Sequence, residues 1–191
     1  MSYTLVSVKK KSPNAGRPVG KGAYILLYKQ DDIATCIRDE KGVKVIDFSF
    51  LALKKPIGIY HTASTQNVFQ TSTGDDDARG HIHNVDFEVP GTDLEFDEFV
   101  ENNLNEDLGA ISIPCEGNDC KIAGTKGNPL KFTQDNTEDS SKKRGHSIQL
   151  KSLIPGSVLG HISKAAIPLT DDLAINAILG LTGTGSEGAG L

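Results

Sequence analysis

Thr92-Asp-Leu-Glu-Phe-Asp-Glu-Phe-Val-Glu-Asn-Asn-Leu104 is the stretch whose spacing predicts a helix in a chain otherwise made of short strand-like runs and polar loops. Thr92 and Glu95 stand at capping-box spacing, where a hydroxyl satisfies an orphan amide and a carboxylate reaches back to the cap. Phe96, Phe99, Val100 and Leu104 fall on one helical stripe, and Asp97, Glu98 and Glu101 fall off it, with acids gathered toward the favourable N-terminal end. One helix between strand-rich halves predicts a mainly β fold, a sandwich or barrel with one lateral α-helix.

Working outward, the downstream half predicts strands at 109–114, 120–123, 130–133, 147–153 and 158–162, with a charged tip at 134–144. Upstream, residues 57–71 and 81–89 read as two long strands of a polar hairpin around 72–80. The tip carries Gly74, Asp75, Asp76 and Asp77, a run too charged to bury. The flanks are rich in Thr, Ser, Gln and Asn, so the pair is not central to a hydrophobic core. An isolated polar hairpin is marginal in water, which predicts that neighbouring subunits complete it. Earlier still, 23–29 is an apolar run with β-formers, and 33–38 and 43–50 are strands joined at Lys41-Gly42 by a hairpin turn.

Both ends read as extensions of a domain at 23–162. Residues 1–22 form an N-terminal arm: a short strand at 3–8, then Lys9, Lys10, Lys11, Arg17 and Lys21 among Pro and Gly, with no acid. Residues 163–191 read as a C-terminal arm that ends in a Gly-rich stretch.

Composition limits the function. The 191 residues carry a formal net charge of −5 and 37% hydrophobic residues, low for a compact enzyme, and 20 glycines imply many turns. The acidic balance excludes a sequence-reading DNA binder, which shows a basic face, but suits a surface past which nucleic acid slides. The odd cysteine count (Cys36, Cys115, Cys120) predicts a reduced, intracellular chain. No apolar run follows the first basic residues and none reaches eighteen residues, so neither a secretory signal nor membrane insertion is expected.

Chemistry-bearing motifs are sparse. His81 and His83 share a strand face and are the candidate metal ligands, and with Glu88 they resemble the His-x-His…Glu motif of cupins. Strand parity places Glu88 on the opposite face, and no well-placed third histidine follows. Cys115 and Cys120 flank a turn tight enough to bring the sulfurs together, as a disulfide or as half a zinc site, and reduced thiols are the expected state. Asp75–Asp77 lack the alternating ligands of a calcium loop. No nucleophile elbow or phosphate loop is present. The expectation is therefore no enzyme, no cofactor and no catalytic residue, with Lys9, Lys10, Lys11, Asp75, Asp76 and Asp77 as candidate assembly contacts.

The order of parts (basic arm, polar hairpin, helix, downstream strands, loose tail) resembles the tail tube proteins of bacterial viruses. Phe99-Val-Glu-Asn-Asn-Leu104 leading to Ile111-Ser-Ile113, then Gly124-x-x-Gly-Asn-Pro-Leu130, is similar to virion proteins of phages infecting Bacteroidetes. The resemblance implies a structural virion protein whose rings, six copies in that family, stack into a channel for DNA delivery. Its implied partners are further copies, other tail or neck proteins, and DNA that passes without specific binding. It implies a place in the virion tail after assembly in the bacterial host cytoplasm. A neck or tail-terminator component and the tube of an injection system carry related folds.

Overall fold

We describe residues 5–182 of a computed structural model of the chain. In chain order the elements are β1 (Tyr24–Lys29), β2 (Ile33–Arg38), β3 (Lys44–Phe50), β4 (Ile57–Tyr60), β5 (Asn67–Thr73), β6 (Gly80–Pro90), α1 (Leu94–Asn103), β7 (Leu108–Ser112), β8 (Asp119–Ala123), β9 (Leu130–Asp139), β10 (Arg144–Ser152), β11 (Gly160–Ser163) and α2 (Leu173–Leu179). The strands form one mainly antiparallel sheet in the order β2-β3-β11-β8-β7-β9-β10-β6-β5, with β1 paired to β7 and β4. The β11–β3 pair is parallel. The fold is mainly β and sandwich-like, as the sequence predicts. No helix among the described residues is long and apolar enough to cross a membrane.

The uninterrupted apolar run of β1 is explained by its place between two layers. Ile25 and Leu27 face one core cluster, with Val85, Phe87, Ile148, Leu150 and Val100. Leu26 and Tyr28 face the other, with Phe48, Phe50, Ile122 and Ile162. A strand buried on both faces needs no polar alternation. Its neighbour β7 splits the same way, Leu108 and Ala110 on one side and Ile111 on the other.

Helix α1 lies where expected, with different ends. Val100 is buried, and Phe96 and Phe99 pack partly buried on the same cluster. Leu104 stands just beyond the helix and is 44% exposed, so it leaves the stripe. The capping box does not form: Asp93 is the N-cap, and no side chain caps the first turn. The Thr92 hydroxyl instead accepts from Nε of Arg144 at 2.8 Å, tying the helix start to β10.

Four other expectations change. Residues 57–71 are not one strand. A single 3-10 turn, Ala63–Thr65, separates β4, which joins β1, from β5, which joins β6. Thr62 N–H donates to Glu88 O at 2.9 Å, and Glu88 N–H donates to Thr65 Oγ1 at 3.0 Å, fixing that turn. The charged stretch 134–144 is mostly strand, because β9 continues to Asp139 and leaves only 140–143 as the tip.

The third change concerns the C-terminal arm, which is folded as far as described. Ile167 is completely buried and Leu179 and Leu181 nearly so, all in the β1/β3/β8/β11 cluster. Asp172 caps α2, its carboxylate accepting from Ala174 N–H at 2.7 Å, and Gly180 closes it in a left-handed conformation. Asn176 is buried and exchanges hydrogen bonds with Thr170. Residues 183–191, the Gly-rich end, lie outside the described residues. If 163–182 belongs to the core, Ile167→Val costs about 1 kcal/mol; a urea-denaturation midpoint unchanged by the substitution would remove it from the core.

At the other end, residues 5–20 are exposed, without helix or strand, and a turn spans 12–16. The expected strand at 3–8 is absent over 5–8, and 1–4 lie outside the described residues. The arm joins the body where Lys21 bridges to Pro114 and Gly22 N–H donates to Ile113 O at 2.8 Å.

Candidate functional site

The sequence candidates are dispersed. Lys9, Lys10 and Lys11 lie on the exposed arm, and Asp75, Asp76 and Asp77 on the exposed β5–β6 tip, where Asp76 pairs with Arg79 at 3.2 Å. Among the described residues no ion pair joins the two groups within one chain. Asp77, with φ 66°, and Gly74, with φ 118°, shape the tip.

His81 and His83 do share a face, but it is the inner one. His83 is fully buried, and both of its ring nitrogens are engaged. Nε2–H donates to Ser157 O at 2.7 Å, and Gly124 N–H approaches Nδ1 at 3.4 Å. Burial lowers its pKa and keeps the ring neutral. Glu88 points the other way, as strand parity predicts, and accepts from Lys143 Nζ at 2.8 Å. Among the described residues no group of three His, Cys, Asp or Glu side chains is placed to hold a metal. His83 acts here as a neutral plug between the loops that carry Gly124 and Ser157.

The thiols do not meet. Cys115 is exposed and donates to Lys21 O at 2.8 Å; Cys120 is buried, and burial pushes its pKa up to about 11. Both are free, as is Cys36, which is half-buried against the core.

What the fold assembles instead is a polar surface. The strands β5, β6, β10 and β9 form a four-stranded antiparallel unit whose inner face carries Val85, Phe87, Ile148 and Leu150. Its outer face is built from rungs in register: Asn67, Asp86, Gln149 and Gln134 form one, and Glu88, Ser147 and Asn136 the next. Gln149 Nε2 donates to Asp86 Oδ1 at 3.2 Å, and Thr133 Oγ1 donates to Gln149 Oε1 at 3.2 Å. A shallow groove of about 260 Å³ runs over Thr65, Asp86, Glu88, Gln134, Ser147 and Gln149. Such cross-strand polar pairs hold a face rigid while leaving it hydrated.

Among the described residues the β5 edge of this unit is open and the β9 edge is open beyond its first residue. On β5 the outer edge has no strand partner, and β9 touches β7 through the single pair Leu108 and Leu130. Beneath the β9–β10 end, fully buried His146 joins three elements. Its Nδ1 lies 3.0 Å from Thr137 Oγ1 and 3.2 Å from Asp135 Oδ1, and its Nε2 lies 3.5 Å from Asp97 of α1. The Phe96 ring meets it edge-on at 4.8 Å. The helix thus braces the inner side of the open-edged unit.

A smaller surface cluster lies on β8 and β11. Asp119 Oδ1 is 2.8 Å from His161 Nδ1, and the Lys121 ammonium lies against the same ring.

No family model, curated protein or solved structure matches this chain.

Proposed function

We propose that the chain is a structural, non-enzymatic subunit of a virion tail tube, forming stacked six-membered rings around a channel through which DNA is delivered. The observation that carries this reading is the four-stranded unit with a polar outer face, an unpaired β5 edge and a β9 edge joined to β7 through Leu130 alone. Open edges are a liability in a monomer. With four strands alternating in direction, β5 and β9 run opposite ways. In a ring about an axis along the strands, β5 of one copy therefore meets β9 of the next in antiparallel sense. The interface is heterologous and closes by rotation.

The dimensions fit. Six copies supply about 24 strands at about 4.8 Å each, a wall about 37 Å across at the backbone before side chains are counted. The polar rungs then line the bore, and acids such as Asp86 and Glu88 keep DNA from sticking. Two charged tips, 74–79 and 140–143, stand at strand ends, where they face adjacent rings or other tail and neck proteins.

Electron microscopy of the purified chain tests the reading. Rings or tubes are expected, and a protein that stays monomeric at high concentration overturns it. A second test concerns the wall. Assemblies of the wild-type chain retain no duplex DNA at about 0.15 M salt, whereas Asp86→Lys/Gln134→Lys assemblies retain it and release it as salt rises. Equal retention by the two would place this face away from the channel.

A further inference from the structure

The short helix α2 turns one face inward, with Asn176 and Leu179 buried, and leaves the other bare. That outer face is wholly apolar: Leu173 is 79% exposed, Ile178 61%, and Ala174 and Ala177 lie between them. Two exposed acids, Asp171 and Asp172, sit immediately before it. An apolar face of this kind on a folded surface calls for a covering partner.

The same chain carries an exposed segment of matching chemistry. In the N-terminal arm Leu5 is 90% exposed, Val6 65% and Val8 93%, and Lys9, Lys10 and Lys11 follow directly. Apolar side chains followed by cations are the complement of an apolar face preceded by acids. The arm leaves the body beside α2, because Gly22 sits against the Leu179 side chain, yet residues 5–20 do not fold back over it. At about 3.3 Å per extended residue, the arm reaches well beyond its own subunit.

We infer that residues 5–11 of one copy dock on the outer face of α2 of a second copy, with Leu5, Val6 and Val8 against Leu173, Ala177 and Ile178, and Lys9–Lys11 against Asp171 and Asp172. The inference rests on the assembly reading only in taking the partner to be another copy of this chain. Three small apolar side chains bind weakly alone. Repetition around a ring converts weak contacts into a firm one through effective concentration.

The test uses full-length chains carrying Cys115→Ser, which removes the exposed native thiol. One variant adds Val8→Cys and a second adds Ile178→Cys; they are mixed in equal amounts and treated with a bifunctional maleimide. A linked dimer containing one of each is expected at roughly five-fold or more the yield of a control pairing Val8→Cys with Leu53→Cys, a fully exposed position elsewhere. Reversing the arm charge with Lys9→Glu, Lys10→Glu and Lys11→Glu lowers that yield toward the control. Yield equal to the control overturns the inference. So does cross-linking seen only when both cysteines are in one chain, which would make the arm its own subunit's cover. Rings in the microscope without this cross-link defeat the docking and leave the tube reading standing. The cross-link without rings does the reverse.

Discussion

Gly109→Ala lowers the stability of the chain by about 3 kcal/mol, measured by urea or thermal unfolding, although alanine is otherwise the better strand residue. The reason lies in the register of β1 and β7, which sets Tyr28 directly opposite Gly109. A Cβ at Gly109 would fall 2.3 Å from Cε2 and Cζ of the Tyr28 ring. That ring has nowhere to go. Phe48 and Phe50 hold it edge-on at 5.4 and 5.5 Å, and its hydroxyl donates to Gly124 O at 3.0 Å. Close-packed interiors transmit such an insertion instead of absorbing it. Trimming Tyr28 to alanine is itself destabilising, by about 3–5 kcal/mol. In the doubly substituted chain the two costs do not add, because the small ring site now accommodates the methyl; the coupling is about 2 kcal/mol in the favourable direction. Additive costs would show that the clash is not the cause.

Mild acid destabilises the folded chain through its buried histidines. His61 and His83 both have pKa values lowered by burial. Among the described residues neither nitrogen of His61 makes a well-formed hydrogen bond, although Gln66 lies beside it, and its ring packs against Phe87 at 6.0 Å. A histidine harder to protonate when folded means that the unfolded chain binds more protons. Full stability is therefore present above about pH 6.5, where both states are neutral. It declines as pH falls below that value and until the lowered folded pKa values are passed. The urea midpoint at pH 5.5 lies below that at pH 7.5. His83→Gln, which can still donate to Ser157 O, together with His61→Leu, flattens this slope. His61→Leu alone is neutral or stabilising at pH 7.5, since it removes two polar atoms that lack a well-formed hydrogen bond. A slope unchanged in the double variant would transfer the acid sensitivity to carboxylates.

How far the sequence could be read depended on whether the pattern lay within one element. The α1 stripe is local, so Phe96, Phe99 and Val100 are legible at their own spacing. The apolar run of β1 is equally plain, and Gly42, with φ 70°, marks the β2–β3 turn. The outer half of β9 was not legible. Gln134–Asp139 carries polar residues on both faces, because one side meets solvent and the other meets His146 through Asp135 and Thr137. Alternation vanishes where both environments are polar. The second helix was hidden differently. Its capping pair, Asp172 and Gly180, is present in sequence, but only seven residues lie between the caps. Propensity alone does not hold so short a helix, and it forms because Asn176 and Leu179 have a core to enter.

The candidate surface was half legible. The Thr, Ser, Gln and Asn of 57–89 announced a solvated sheet face. Which residues share a rung depended on pairing Asp86 with Gln149 across β6 and β10, a register set by partners far away in the chain. The histidine pair was read to the correct common face, but which face it occupied was decided by the core that Val85 and Phe87 enter.

The central position of β1 also sets a timetable. Its partner β7 is made long after it, and β3 waits for β11 to pair Lys44 with His161. Such distant pairings place the chain among slow folders of high contact order. During synthesis β5 and β6 close their local hairpin early, while the layer beneath them is still incomplete. Premature edge-to-edge mispairing is then restrained by charge near the strand ends, Asp75–Asp77 at one tip and Lys142–Arg144 at the other, acting as gatekeepers until the body that they decorate has formed.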